Sequence, residues 1–147
     1  MHASISFRLL PDTIAPKTLK AFRRDAGWNV DGQDAGRPAQ PGGLVRWAVV
    51  QTGSRTIGIA RLELAPPQFC YVSDLILLKP HRGRGLGGWF MQQIERHCMD
   101  MGIPRVLLQP TGGSAGFYEK LSFSADPHVA GFLKKELGPQ RRRTPAC

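Results

Sequence analysis

A glycine-rich loop between an apolar strand and an amphipathic helix is the feature that most constrains this chain. The nearly continuous apolar run 70–78 predicts a central strand, and residues 86–101 repeat apolar side chains along one helical face. Four glycines stand within the six residues 83–88, where they let the backbone turn tightly and approach a ligand. The first amides of a helix lack partners and lie at the positive end of its dipole. The loop therefore predicts an anion site suited to a pyrophosphate, with Arg82 and Arg84 adding positive charge.

Two other interpretations of the loop stay open from the residues alone. Gly83, Gly85 and Gly88 also satisfy Gly-x-Gly-x-x-Gly, the pattern of dinucleotide-binding oxidoreductases. In that fold the loop follows the first strand, and an acidic residue stands roughly 20 positions further on. Here several strands come first, and the next strand, 105–109, ends in Gln-Pro. The second alternative is a solvated Gly-Arg turn without a ligand. A nucleoside-triphosphate loop is excluded because Gly-Lys-Ser/Thr is absent.

Length and hydropathy favour a single globular domain. The chain has 147 residues, of which 41% are hydrophobic, enough for a single core. We expect one domain over 1–137 and a basic, flexible tail over 138–147. No apolar run reaches 18 residues and the N-terminus lacks the apolar region of a signal peptide, so we expect a cytoplasmic protein without a membrane partner.

The net charge and the positions of the cysteines restrict which cofactors, metals and macromolecular partners the sequence predicts. The net charge of +9 suits an anionic cofactor, but aromatic residues are not interleaved with the basic ones, so no nucleic-acid partner is expected. The three cysteines are widely separated and show neither metal spacing nor a disulfide framework. We expect no metal, and we expect Cys70 and Cys98 to be small buried apolar side chains.

The remaining periodicities predict a mixed α/β (α+β) sheet in the order β-α-loop-β-β-β-α-β-α-β. Strands are expected at 4–10, 44–51, 56–64, 70–78, 105–109 and 129–137. Asp12 or Thr13 is expected to cap the first helix, Pro16 lies in its first turn and Gly27 ends it. We expect a loop over residues 29–43 and helices over 86–101 and 115–121.

Two blocks of residues resemble a known family. Arg82, Gly85 and Gly87 occupy the signature Arg/Gln-x-x-Gly-x-Gly/Ala of the GCN5-related N-acetyltransferases (GNAT). The block 116–123, Gly-Phe-Tyr-Glu-Lys-Leu-Ser-Phe, is similar to that family's late segment, with Ser122 where glycine is usual. The blocks stand in the family's order and span 72–123. The resemblance implies a single-domain acyl-CoA N-acyltransferase fold, with a central splayed sheet flanked by helices, and acetyl-CoA as cosubstrate.

The same resemblance implies which residues hold that cosubstrate. The loop and the start of its helix would bind the CoA pyrophosphate, and the backbone of the preceding strand would pair with the pantetheine arm. The expected cofactor-binding residues are Ile76, Leu77, Leu78, Arg82, Gly83, Arg84, Gly85, Leu86, Gly87, Gly88 and Phe117.

Acyl transfer to an amine needs a neutral nucleophile and a protonated leaving thiol. By resemblance Tyr118 is the general acid, and a phenol remains protonated at neutral pH. For the base there are two carboxylates, Asp74 in the strand before the loop and Glu63 near the end of the preceding strand. Burial would raise the pKa of such a carboxyl toward a useful range. Packing of Tyr118 in the core, and an Asp74 that only bonds a neighbouring strand, are the structural alternatives.

The sequence thus predicts an acetyl-CoA-dependent N-acetyltransferase that acts by direct attack of a primary amine on the thioester. The acceptor would be a small-molecule or peptide amine, and the protein a monomer or homodimer. The alternative is a CoA-binding sensor or interaction module without turnover. Residues 29–43 would help to shape the acceptor pocket, but no pattern there names the acceptor.

Overall fold

The computed structural model describes residues 4–28 and 33–138, which form a seven-stranded mixed sheet flanked by helices. The strands are β1 (Ile5–Leu9), β2 (Leu44–Thr52), β3 (Arg55–Ala65), β4 (Phe69–Leu77), β5 (Arg105–Leu108), β6 (Ser124–Ala125) and β7 (Leu133–Glu136). The α-helices are α1 (Pro16–Asp25), α2 (Leu86–Asp100) and α3 (Ala115–Lys120). Short 3₁₀ turns occupy Gln33–Gly36 and Lys79–His81. The basic segment 141–143 of the expected tail lies outside the described residues.

The sheet runs in the order β1-β2-β3-β4-β5-β7-β6. β4 and β5 are parallel and the other neighbouring pairs are antiparallel. This arrangement confirms the predicted mixed sheet, since β4 reaches β5 through the crossover helix α2. The two-residue strand β6 was not predicted, because two residues are too short to show a periodicity.

Alternating residues of the central strands build two apolar layers. Trp47 and Val49 of β2 pack with Leu19 and Phe22 of α1 on one face. Ala48 and Val50 point to the opposite face, where α2 and α3 cover the larger core. Cys70 and Cys98 are fully buried in that core, as predicted. No helix within residues 4–28 and 33–138 is long and apolar enough to cross a bilayer.

The start of α1 differs from the prediction. Ala15 is the N-cap, and no side chain caps the helix. The hydroxyl of Thr13 instead donates to the carbonyl of Ala35 at 2.6 Å, and the indole N–H of Trp47 donates to the same oxygen at 3.2 Å. The capping prediction was wrong because this long-range contact recruits the hydroxyl. It also anchors the 3₁₀ turn inside the expected loop 29–43, of which residues 29–32 lie outside the described part.

The central strand β4 parts from its neighbour halfway along its length. β4 pairs with β5 only at residues 70–72, although β4 continues to Leu77. On its other side the register with β3 shifts between Ile59 and Arg61, opposite Asp74, whose φ of 50° is left-handed. The strand therefore bulges at Asp74, and β5 ends at Leu108, the partner of Val72, so a wedge is left beside the second half of β4. This wedge is the splay that the family resemblance implied.

Candidate active site

The glycine loop leads into the first turn of α2, whose backbone amides have no partner within the helix. Gly83 and Gly85 have φ values of 76° and 78°, a conformation that favours glycine. Gly85 is the N-cap of α2 and no side chain caps the helix, so the amides of its first turn point out of the helix. A side chain on Gly87 would begin 3.0 Å from the ring of Phe117, so that glycine lets α3 pack against α2. The loop thus has the backbone shape that a pyrophosphate requires.

Arg82 anchors this loop. Its Nε donates to the carbonyl of Leu77 at 2.8 Å, and its Nη2 donates to the carboxylate of Asp25 at 3.0 Å. The backbone N–H of Lys79 donates to the same carboxylate at 3.0 Å. The last turn of α1 therefore holds the loop in place. Arg84, which is also exposed, directly precedes the N-cap of α2.

The three expected backbone positions of β4 differ in orientation. The N–H of Leu78 donates to the carbonyl of Ile57 at 2.9 Å and therefore faces β3. Residues in an antiparallel pair alternate between facing their partner and facing away. The amide of Ile76 consequently faces β3 as well, and that of Leu77 faces the wedge. Of the three positions, Leu77 has the backbone group directed at the splayed edge.

Tyr118 closes the wedge from α3. It lines a cavity of about 280 Å³ together with Ser73, Asp74 and Leu75 of β4. Its ring packs edge-on against Phe117 and Phe123, with centroids 4.9 and 5.7 Å away. Burial raises the pKa of Tyr118 to about 12, so the phenol holds its proton across the neutral range. Here Asp74, one of the two candidate bases, and the candidate acid share one cavity.

The carboxylate of Asp74 is held by an arginine that the sequence analysis missed. Arg23 of α1 donates from Nε and Nη2 to the two oxygens of Asp74, at 2.8 and 2.9 Å. The same guanidinium donates to both oxygens of Asp34 at 2.9 and 3.2 Å. The hydrogen bond to Asp74 is the main cause that raises the pKa of Arg23, and the bond from Arg23 is the main cause that lowers the pKa of Asp34. Arg23 therefore ties α1 and the 3₁₀ turn to the bulge.

Glu63, the second candidate base, lies beyond the small cavity. One of its oxygens accepts from Nη1 of Arg61 at 3.3 Å and the other accepts from the backbone N–H of Gln40 at 2.7 Å. Arg61 is only 1% exposed, and this burial lowers the pKa of its guanidinium. Its Nη2 donates to the carbonyl of Arg37 at 2.9 Å. Both candidate bases are thus ion-paired, and Glu63 is additionally bound to the segment that follows the 3₁₀ turn.

A second, larger cleft opens at the start of β4. It has a volume of about 710 Å³, and Glu63, Phe69 and Tyr71 contribute to its wall. Arg37 and Tyr71 line both this cleft and the small cavity, so the two spaces adjoin. Along β4 the order is cleft, cavity, glycine loop. Within the described residues no group of three or more His, Cys, Asp or Glu side chains is arranged to hold a metal ion.

Sequence reasoning could have found Arg61 but not Arg23. Arg61 and Glu63 are two apart in a strand, so their side chains share one face, and a charged pair inside an otherwise apolar strand is a signal. Arg23 has no such signal, because Asp74 is 51 positions away in the chain.

The splayed sheet and the glycine loop that opens a crossover helix together define an acyl-CoA N-acyltransferase fold. The chain belongs to the acetyltransferase (GNAT) family, whose sequence model matches residues 10–123. The resemblance noted in the two sequence blocks is thereby confirmed. No curated protein sequence matches the chain.

Solved structures show the same fold at low sequence identity. Tetrahymena GCN5 superposes with a TM-score of 0.74 at 15% identity, covering 91% of this chain and 97% of that one. The PaiA N-acetyltransferase of Thermoplasma acidophilum, solved with coenzyme A, gives 0.65 at 14%, covering 91% and 99%. A GNAT family acetyltransferase of Elizabethkingia anophelis, solved with acetyl-CoA bound, gives 0.65 at 14%, covering 90% and 98%.

Proposed function

We propose that this protein transfers the acetyl group of acetyl-CoA to a primary amine of a small molecule or peptide by direct attack on the thioester. The observation that carries the proposal is the order of features along β4. The glycine loop follows the strand's end, and Tyr118 lies beside its middle in the wedge. A larger cleft lies at its start. Cosubstrate and acceptor can thus enter from opposite ends and meet at the bulge.

The residues present fit acetyl-CoA. The left-handed Gly83 and Gly85 and the uncapped first turn of α2 suit a pyrophosphate, and Arg84 adds an exposed cation nearby. The N–H of Leu77 faces the wedge, into which the thioester end of the pantetheine arm can extend. Acetyl-CoA supplies the activated acetyl group as a thioester. The proposal keeps 76–78, 82–88 and Phe117 as the cofactor-binding set, with Leu77 as the backbone contact in the wedge.

In the proposed reaction the amine nitrogen bonds to the thioester carbon and the carbon–sulfur bond breaks. Tyr118, whose raised pKa of about 12 keeps the phenol protonated, is the proposed proton donor to the departing thiolate and regains a proton from water. The Leu77 N–H is the proposed donor to the carbonyl oxygen as negative charge develops there. The products are the N-acetylated amine and free CoA, and the proton lost by the amine leaves through a carboxylate.

Asp74 and Glu63 remain the two proposed routes for that proton. Asp74 lines the cavity of Tyr118, but both its oxygens accept from Arg23. Glu63 lines the adjoining cleft and can reach the cavity through water. Asp74 keeps the first place because it shares a cavity with the acid.

The first experiment measures binding and turnover separately. Acetyl-CoA at 100 times its dissociation constant should stabilise the fold by about 2.7 kcal/mol, measured as a rise in Tm. Gly85→Val should remove this shift, because a branched side chain obstructs the amides of the loop. Gly102→Val is the matched control, since Gly102 ends the same helix with a similar φ of 73°. Both variants carry backbone strain, but only the first should lose acetyl-CoA.

Turnover is then followed as free thiol released with a panel of amines. Release of CoA together with an acetylated amine supports the transferase. If wild type shows no Tm shift with acetyl-CoA, the cofactor site is refuted. A shift without thiol release from any amine would favour the alternative, a CoA-binding module without turnover.

A further inference from the structure

We infer that the acceptor is a primary amine carried by a short linker on a flat, apolar body, such as an arylalkylamine. This inference rests on the proposed function, because it assumes that the reacting nitrogen lies in the cavity beside Tyr118. That cavity of about 280 Å³ must also admit the acetyl end of the cosubstrate. The rest of the acceptor therefore extends into the adjoining cleft of about 710 Å³.

The walls of the cleft are mainly apolar and aromatic. Phe69 and Tyr71 of β4, Leu107 of β5, and Val129 and Phe132 of the segment before β7 face the space. The rings of Tyr71 and Phe132 contact each other, with centroids 5.9 Å apart and planes inclined by 36°. Val129 is 47% exposed at the edge of the cleft, so a ligand that fills the cleft can cover it. Such walls favour an aromatic or branched apolar body, because binding removes apolar surface from water.

The carboxylates of the cleft are already engaged within the protein. Glu63 pairs with the buried Arg61 and accepts the N–H of Gln40. Asp126 accepts the backbone N–H groups of His128 and Val129 at 3.0 and 2.6 Å. Arg37, the remaining charged group of the wall, is 47% exposed and is ion-paired with Asp34 at 3.5 Å. Each charged side chain of the wall thus has a partner within the described protein. A polyamine or aminoglycoside would have to compete for these groups, whereas an apolar body needs only the apolar walls.

The test compares three amines by isothermal calorimetry, on wild-type protein with and without CoA. The probes are 2-phenylethylamine, ethylamine and spermidine. The first should bind at least about 10-fold more tightly than either of the others, because ethylamine lacks the apolar body and spermidine adds charge. Equal or tighter binding of spermidine would overturn the inference.

Variants then locate the site. Phe132→Ala should weaken 2-phenylethylamine about 10-fold and leave ethylamine unchanged. Since Phe132 is half-buried, Val129→Lys provides a second test on an exposed side chain and should weaken the same probe. Met99→Ala is the control, because Met99 is 47% exposed on α2 and does not line the cleft. Loss of affinity that is equal for all amines, or equal in Met99→Ala, would refute the assignment.

The two proposals fail in different ways. A protein that releases CoA with spermidine but does not bind 2-phenylethylamine is an acetyltransferase with a different acceptor class. A protein that binds 2-phenylethylamine in the cleft yet never releases CoA keeps the acceptor site and loses the proposed transfer.

Discussion

The contact between Arg23 and Asp74 gives the sharpest test of how the bulge in β4 is held. The two side chains are 13% and 9% exposed, and Arg23 meets both oxygens of Asp74. Removing one partner of a buried ion pair costs about 3–5 kcal/mol of unfolding free energy. Arg23→Met leaves two carboxylates without their shared cation, so we expect a loss in that range. Asp74→Asn keeps one acceptor oxygen, tolerates the left-handed φ and leaves Asp34 in place, so we expect about 2 kcal/mol.

A double-mutant cycle by urea unfolding measures the coupling between the two residues. The combined variant should cost about 2 kcal/mol less than the sum of the single variants, because the interaction can be lost only once. CoA binding and the Met99→Ala variant serve as controls for the integrity of the rest of the fold. Losses that add within about 0.5 kcal/mol would refute the reasoning that this ion pair holds the bulge.

The Arg23→Met variant should also change how the unfolding free energy depends on pH. Arg23 lowers the pKa of Asp34 below its ordinary value of 3.8. A carboxyl whose pKa is lower in the folded state contributes stability above the unfolded value, and that contribution is lost as the pH falls through the folded value. Unfolding free energy should therefore fall below about pH 4 in wild type. The fall should be shallower in Arg23→Met.

Further predictions concern the reaction and one turn. Tyr118→Phe should lower turnover about 100-fold while the Tm shift with acetyl-CoA persists, and wild-type turnover should show no alkaline loss due to this phenol up to pH 10. Unchanged turnover in Tyr118→Phe would remove it from the mechanism. The acidic limb of the pH–rate profile should flatten in Asp74→Asn and persist in Glu63→Gln. If it flattens only in Glu63→Gln, Glu63 is the general base. If neither variant changes the limb, solvent takes the proton from the amine. Ser122→Gly should raise the unfolding free energy by about 0.5–1 kcal/mol, because Ser122 has a left-handed φ of 76° that glycine adopts without strain; a loss of stability would contradict this account.

Local patterns predicted most of the fold. The run 70–78 and the hairpin strands at 44–51 and 56–64 appear as β4, β2 and β3 within one or two residues, because apolar periodicity depends on near neighbours. The glycine loop and the block around Tyr118 also fell where the sequence placed them. Ser122, which stands where the resembled segment usually has glycine, adopts a left-handed φ of 76°, a conformation that favours glycine.

Long-range polar contacts were not predictable in the same way. The helix-cap prediction was wrong because the hydroxyl of Thr13 donates to the carbonyl of Ala35, 22 positions away, and does not cap α1. The bulge depends on a guanidinium in α1 that meets a carboxylate in β4. Such pairs depend on how the elements pack against one another, which hydrophobic periodicity along the chain does not specify. The site was therefore predicted as a set of motifs, while the partners that restrain its carboxylates became visible only in three dimensions.

The last turn of α1 holds the strand and its loop at two points. Arg23 binds the carboxylate at the bulge of β4, and Asp25, two residues later, binds Arg82 and the N–H of Lys79 in the loop. The bulge and the glycine loop are consequently both bound to the last turn of one helix. A cosubstrate that draws Arg82 away from Asp25 would loosen this turn, so amide hydrogen exchange at residues 23–28 can act as an internal reporter of what occupies the loop.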